Sequence, residues 1–354
     1  MDDQGLQIAT PGRNEDMRQG FYDRASELSL APLWKVLHSL VPEVPSLTAV
    51  PAHFAYNQVR PYLMEACGLI STEESERRVL VLENPALRGQ SRITPSLFAG
   101  FQIILPGEVA PPHRHVASAL RFIMEGKGAY TSVGGERSLM NPGDFIITPS
   151  WQWHDHGNDS DGPVVWLDGL DMHIVNLFSA SFRESADEFV PVVTRPEGAA
   201  MVEAGHGLLP IDFKHSSQTS PLFSYPYSAT CDALFNLSRF RDPDPCHGHM
   251  MIYINPLTGS TAMPTLTTGM RLLPKGFKSE VYRSTAGTVF SVVEGTGIVA
   301  IGEKVFHYKP LDLFVAPSWC PIRFDTASES VIFSYSDRIV QEKLDIFREK
   351  RGSD

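Results

Sequence analysis

The chain has 354 residues, 42% hydrophobic and 20% charged, a length that suggests two domains and an ordinary globular composition. A formal net charge of −11 with no basic stripe excludes a nucleic-acid binder, and any anionic substrate must be held by a few local arginines and a metal. No apolar run reaches bilayer length, the polar acidic start is not a secretion signal, and four scattered cysteines fit a reducing cytoplasm, so neither membrane association nor export is expected.

Residues 1 to about 29 read as a polar, loosely ordered arm. Leu33, Val36, Leu37 and Leu40 then recur at helical spacing until Pro42. A second helical stretch covers roughly Gln58 to Leu69, broken or started near Pro61, and Ser71-Thr72-Glu73-Glu74 reads as a capping box opening a short helix through Arg77 and Arg78. From about Ser96, short runs rich in Phe, Ile, Val and Tyr alternate with Gly, Pro and Asn clusters, the pattern of an all-β barrel or sandwich. Residues 180 to about 245 are proline-rich and carry no clear period; from Met270 the β pattern returns. Arg338 to Lys350 is amphipathic and reads as a C-terminal helix.

The two β regions repeat one another. Phe122–Gly126 matches Ser291–Gly295 at an offset of 169 residues, and Pro149-Ser150-Trp151 matches Pro317-Ser318-Trp319 at 168. Two matches in the same order indicate a duplicated domain. The expected organisation is an N-terminal arm with helices (1–90), a first β domain (91–180), a connection (181–245), a second β domain (246–340) and a C-terminal helix (341–354).

The first β region carries Gly107, then His113 and His115 two apart, then Gly126. It continues with Gly143, Pro149, His154 and Asn158. Residues two apart on a strand leave the same face, so His113 and His115 can share one ion with His154 from a neighbouring hairpin. These segments resemble the paired motifs of the cupin superfamily, with Trp151 where a glycine is usual. The position that usually supplies a glutamate ligand falls on Ala119, or on Leu120 in the longer spacing. A divalent ion held by imidazoles alone keeps its full charge, and can accept a chelating dianion while leaving a position for O2. In the second copy the ligand positions fall on Tyr282, Ser284 and Ile322, so that domain is expected to bind no metal. A further H-x-H, His247-Gly248-His249, lacks a downstream histidine and is expected to be a polar loop.

From about residue 31 to 345 the chain resembles gentisate 1,2-dioxygenases and their salicylate and 1-hydroxy-2-naphthoate relatives, through RPYLMEA, ERRVLVLENP, ITPSLFAG, PPHRHVASALRFIMEG, GDFIITPSWQWHDHG and WLDGLD. The resemblance implies a mainly β bicupin, two double-stranded β-helix (jelly-roll) barrels with an N-terminal helical segment. It further implies one Fe(II) per subunit in the first cupin domain, a homotetramer, and extradiol-type cleavage of a small aromatic hydroxy acid by O2. For gentisate the product would be maleylpyruvate; the alternatives are the same chemistry on salicylate or 1-hydroxy-2-naphthoate, or a non-catalytic metal-binding bicupin.

Around the metal, Arg121 stands in an otherwise apolar strand and must be paired, by a substrate carboxylate or by Glu125 or Asp144. If the strand runs on unbroken from the H-x-H, Arg121 shares the face of His113 and His115. His156 can handle a hydroxyl proton or be a rim histidine. Asp168 is isolated among apolar neighbours and needs a partner such as His156 or Arg121, or acts as a structural cap. Gln102 can hydrogen-bond the substrate. In relatives an arginine near Arg77 and Arg78 serves the substrate, the plainer alternative being a surface pair of Arg77 with Glu73. Phe98, Trp151 and Trp153 can wall an aromatic pocket or be ordinary core.

Overall fold

The computed structural model describes residues 11–186 and 193–352, and the chain divides into two compact units, Met1–Ser46 and Leu47–Asp354. The first unit is a helical hairpin of α1 (Pro11–Glu27) and α2 (Leu33–Leu40). Residues 11–27 are therefore helical, where a loose arm was expected; residues 1–10 lie outside the described part. The helix escapes a pattern search because it is polar nearly all round, with no apolar stripe to mark the period. Proline at its first position and local pairs such as Gln19 Nε2 donating to Asp23 Oδ1 at 2.7 Å support it instead. Trp34 stacks on Phe21 at 6.5 Å and donates to the Tyr22 hydroxyl, joining the two helices.

The second unit begins with β1 (Ala52–Phe54), α3 (Tyr56–Leu69), α4 (Thr72–Ser75) and β2 (Arg78–Val81). Ser71 caps α4 as its side chain accepts from Glu74 N, but the helix ends at Ser75. Glu76 takes a positive φ and Arg78 already starts a strand, which corrects the expectation of helix through Arg78. Nor are residues 1–90 only arm and helices, since β1 and β2 both belong to sheets.

The first barrel is built from β3 (Phe98–Ile104), β4 (Val109–His115), β5 (Ala119–Glu125), β6 (Ala129–Val133), β7 (Gly135–Leu139), β8 (Phe145–Thr148), β9 (His154–Asn158) and β10 (Val164–Leu170). After α5 (Met172–Leu177), the connection adds β11 (Arg183–Ser185), β12 (Val193–Arg195), α6 (Ala199–Ala204), β13 (Ser224–Tyr225) and α7 (Tyr227–Phe240). The second barrel is β14 (His249–Ile252), β15 (Thr267–Leu273), β16 (Tyr282–Ser284), β17 (Thr288–Glu294), β18 (Gly297–Ile301), β19 (Lys304–Tyr308), β20 (Leu313–Ala316), β21 (Ile322–Thr326) and β22 (Ser330–Ser336). It closes with α8 (Arg338–Lys343) and β23 (Glu349–Arg351).

Each barrel is two sheets. In the first the orders are β13-β8-β5-β10-β3-β2 and β11-β4-β9-β6-β7-β12; in the second, β1-β20-β17-β22-β15-β14 and β19-β18-β21-β16-β23. This is the duplicated architecture expected of a bicupin. Gly126 and its repeat Gly295 turn equivalent hairpins at φ of +80° and +88°, where a Cβ would lie 2.3 Å from a backbone oxygen in both.

Two expectations fail here for the same reason, an edge that needs a partner. The helix expected over Arg338–Lys350, or over 341–354, stops at Lys343. Asp345 takes a positive φ, and Glu349–Arg351 turns extended to pair with β16. His249, expected in a loop, is buried at the start of β14 opposite Leu272.

The sheets β13-β8-β5-β10-β3-β2 and β1-β20-β17-β22-β15-β14 are buried on both faces, which is why their strands read as apolar runs with little alternation. Alternation persists underneath. On β5, Leu120, Phe122 and Met124 join one core shared with Phe333 and Tyr335 of the second barrel, while Ile123 faces the first barrel's interior with Trp166 and Ile146. Arg121 therefore points inward with Ile123, as Gln102 does with Ile104 and Asp168 with Trp166. The shared core centres on Phe122 stacked against Phe333, with ring centroids 4.1 Å apart and planes 4° apart. Phe333→Ala should cost about 3–5 kcal/mol of stability, read as a lower urea midpoint. A shift within experimental error would show that the barrels do not stabilise each other through this contact.

Candidate metal centre

His113 and His154 face one another directly across the β4–β9 pair, and His115 follows on the same face of β4. Ring centroids are 5.1 Å apart for His113–His115, 4.1 Å for His113–His154 and 4.9 Å for His115–His154. One nitrogen of each lies within 4.8 Å of the others, and no carboxylate or thiolate joins the group among the described residues. Ala119 at the usual carboxylate position is buried, pairing with Thr148 and Leu170.

Burial, with the nearby Arg77 and Arg121, pushes these imidazoles toward the neutral form that binds metal. His113 is lowered to about 2 and His115 to about 4, burial being the largest cause, and His154 falls well below the usual histidine range. The tautomers of two rings are set by the backbone. His115 Nδ1 lies 2.6 Å from Ala117 O and His154 Nδ1 2.9 Å from Gln152 O, so each donates there and presents Nε2 as a lone pair. His154 Nε2 is buried with no hydrogen-bond partner among the described residues. A buried, unanswered lone pair grouped with two further imidazoles is what a divalent cation satisfies, so the residues fit a metal.

Trp151 takes φ of +61°, in the position where a glycine is usual in cupins, and its repeat Trp319 takes +59°. Trp151 N donates to His115 O at 2.8 Å, so the strained turn that delivers His154 is fastened to the strand holding the other two ligands. The guanidinium of Arg114, on the opposite face of β4, lies 4.6 Å from the Trp151 ring and 4.9 Å from the Trp153 ring. Trp153 is thereby placed outside the histidine face, not as a wall of the pocket, because strand alternation turns Arg114 away from His113 and His115.

Arg121 is 3% exposed and surrounded by three groups: Thr148, whose hydroxyl accepts from Nη1; His156, whose Nε2 is 3.1 Å from Nη2; and Asp168, whose Oδ1 is 3.7 Å from Nε. The strand does not run unbroken from His115, since β4 and β5 lie in different sheets; Arg121 reaches the interior from the other side. Glu125 instead pairs with Arg60 and accepts from the Tyr56 hydroxyl, and Asp144 accepts from Tyr227 N, so neither is the partner of Arg121. Asp168 also accepts from Trp166 Nε1 at 3.0 Å. Burial pushes its carboxyl up to about 6 although Arg121 pulls it down. Because a guanidinium only donates, His156 Nε2 is an acceptor there, and its Nδ1 has no partner among the described residues.

Arg77 comes from the turn before β2. Its Nη2 is 2.5 Å from His113 Nδ1 and 3.1 Å from Pro111 O, and burial with Arg121 nearby lowers it to about 10. Arg78, the competing choice, is buried elsewhere against Glu108 and Ile70 O. Gln102 is buried on β3 between Val79 and Trp166, and the Phe98 carbonyl accepts from the Tyr335 hydroxyl of the second barrel at 2.8 Å. Sequence reasoning missed Thr148 and Trp166 as the groups that hold Arg121 and Asp168. Each was marked only as a polar handle inside an apolar strand.

Comparison with known proteins bears on this geometry. Residues 100–170 match the cupin domain family. The chain is 52% identical to gentisate 1,2-dioxygenase 1 of Aquipseudomonas alcaligenes over 95% of its own length and 96% of that protein's. The chain belongs to the gentisate 1,2-dioxygenase family. Another family member, the gentisate 1,2-dioxygenase of a Ralstonia species, is 35% identical over 96% of both chains. Among solved structures, salicylate 1,2-dioxygenase from Pseudaminobacter salicylatoxidans superposes with a TM-score of 0.89 at 30% identity, covering 99% of each chain, and one determination of it holds gentisate.

His115→Ala removes one of three ligands and should lower the retained metal by at least about tenfold, with far-ultraviolet circular dichroism unchanged. Metal analysis after dialysis reads this directly, and full occupancy in the variant would overturn the ligand set.

Proposed function

We propose that the chain is an Fe(II)-dependent extradiol-type dioxygenase that opens gentisate (2,5-dihydroxybenzoate) with O2 to maleylpyruvate, with one iron per subunit in the first barrel. The observation that carries it is the cluster of His113, His115 and His154 without a carboxylate, set beside a buried arginine. When bound, Fe(II) supplies the open positions at which an ortho-hydroxycarboxylate chelates and O2 is activated. The gentisate-cleaving relative at 52% identity favours gentisate over salicylate or 1-hydroxy-2-naphthoate.

The chain's own residues then have distinct tasks. Arg121, held in place by Thr148, His156 and Asp168, keeps an unanswered Nε hydrogen for the substrate carboxylate. Asp168 positions Arg121 by supplying its countercharge. His156, buried and held neutral with Nε2 accepting from Arg121, has its Nδ1 hydrogen left to donate to a substrate oxygen. Arg77, which lies against the His113 ring, would add a second positive group for the substrate carboxylate beside a bound ion. Gln102 adds a hydrogen bond. Phe98 borders the ring beside Gly100, where a Cβ would meet Val79 Cγ1 at 2.6 Å and the Phe98 ring at 3.3 Å, so that wall is already closely fitted.

The assignment extends to context. Four free thiols suit a cytoplasmic protein, and no helix among the described residues is long and apolar enough to cross a membrane. Leu33, Trp34, Leu37 and Leu40 of α2 are all more than 40% exposed, a surface that suits the homotetramer expected from the family resemblance.

Anaerobic loading with Fe(II), then gentisate and air, should give oxygen uptake equal to gentisate consumed and the absorbance of maleylpyruvate. Turnover of salicylate with none of gentisate would move the assignment within the family. Arg121→Gln should raise KM by roughly 10- to 100-fold, the worth of about 1.5–3 kcal/mol for a charge-assisted hydrogen bond. An unchanged KM would remove Arg121 from the carboxylate site. Since Asp168 is charged above about pH 6 and protonated below it, kcat/KM should fall as pH drops through that value. Asp168→Asn should be low and flat over the same range; the same descending limb in the variant would assign it to another group.

A further inference from the structure

The second barrel has lost the metal ligands but keeps a cavity where they would stand. Strand register makes the correspondence. Tyr282 faces Ile322 across β16–β21 as His113 faces His154 across β4–β9. Phe290 faces Ser334 as Arg121 faces Asp168. Arg271 faces Ile332 as Gln102 faces Trp166, so the second barrel puts an arginine where the first puts a glutamine. Tyr282, Ile322, Phe290, Ser334 and Arg271, with His247 and His249, border a cavity of about 710 Å³, within the range of small-molecule pockets.

Arg271 is the unexplained group there. It is 5% exposed, and no carboxylate pairs with it among the described residues. Its Nε has no hydrogen-bond partner, and Nη2 reaches only the Met250 sulfur at 3.5 Å, a weak acceptor. The guanidinium lies 5.0 Å from the Phe290 ring and 5.4 Å from the Phe324 ring, which soften its burial but leave its hydrogens unanswered. A buried guanidinium without a counterion is costly to keep, so an anion that enters the cavity has a ready partner. Burial lowers it only to about 10, so it stays charged at neutral pH, whereas burial beside it drives His247 down to about 3 and keeps that ring neutral.

We propose that this cavity is a second ligand site, binding a small organic carboxylate through Arg271. One buried positive charge matches one negative charge. The neighbouring Asp244 and Glu342 are already engaged with Arg351 and Arg338 and disfavour a more highly charged anion. Phe290, Phe324, Ile322 and Ala286 supply an apolar lining that suits a carbon body rather than inorganic phosphate. The site is independent of the metal centre, and its test leaves the ring-opening assignment untouched.

Benzoate is a suitable probe, because without an ortho hydroxyl it cannot chelate iron. Equilibrium dialysis against the anaerobic iron-loaded enzyme should show one benzoate per chain that is lost in Arg271→Gln and kept in Arg121→Gln. Arg271→Gln installs the side chain that the first barrel carries at this strand position, and gentisate turnover should stay within about twofold of wild type. Ser284→Leu, at the position where the first barrel holds a histidine, fills the cavity without touching Arg271 and should also abolish that benzoate. Equal benzoate stoichiometry in the wild type and both cavity variants would overturn the proposal, as would loss in Arg121→Gln alone. Stoichiometric phosphate in place of benzoate would overturn the carboxylate class.

Discussion

A positive charge buried at the centre of a β-barrel must be answered, and the surroundings of Arg121 are that answer. Thr148, His156 and Asp168 come from three different strands and converge on one guanidinium. None of the three satisfies it fully: the Asp168 contact is 3.7 Å and Nε has no hydrogen bond. The cluster is rigid enough to aim the group and incomplete enough to leave it a substrate to bind. Beside it stand three imidazoles that burial keeps neutral, so the positive field of Arg121 and Arg77 works with the metal site by holding protons off its ligands.

Both barrels place polar side chains inward at matching registers, yet among the described residues only the first gathers three side chains able to hold a metal. Tyr282, Ser284 and Ile322 stand where His113, His115 and His154 stand in the first barrel, so none of those ligands is present while the Tyr282–Ile322 pairing matches that of His113–His154. The backbone outlasts the chemistry because the sheet hydrogen bonds and the shared core do not depend on what those inward positions carry. The positive-φ tryptophans Trp151 and Trp319 show the same thing. The strained turn persists in the second barrel, where Trp319 N still donates to Ser284 O, although no ligand histidine follows it.

Much of this was legible in the residues. The H-x-H with its downstream histidine located the metal group because a two-residue period on a strand dictates a common face. Arg121 and Asp168 were legible as charges in apolar strands, where burial demands partners. Other features depended on pairings between segments remote in sequence. Nothing local says that Glu349–Arg351 will leave a helical pattern to cover the edge of β16, or that His249 will start a strand. The choice between Arg77 and Arg78 was undecidable from spacing, since it turns on where α4 stops and β2 starts. Trp153 misled because an aromatic beside a ligand histidine reads the same whether it faces the pocket or the Arg114 guanidinium outside.

The exchange of β1 gives the molecule a property that neither barrel has alone. Ala52–Phe54 precede the first barrel in the chain yet pair with β20 of the second, where Asp312 accepts from Tyr56 N and lies 3.1 Å from His53 Nε2. Ser224–Tyr225, beyond the first barrel, close its β8 edge. The halves are thus braided, and no single cut of the polypeptide separates them into self-sufficient pieces. A fragment ending before residue 245 would carry β1 with nothing to pair it, and the remainder would expose the β20 edge to other chains. A barrel without the histidine trio can on this account be retained for as long as the other needs its neighbour in order to fold.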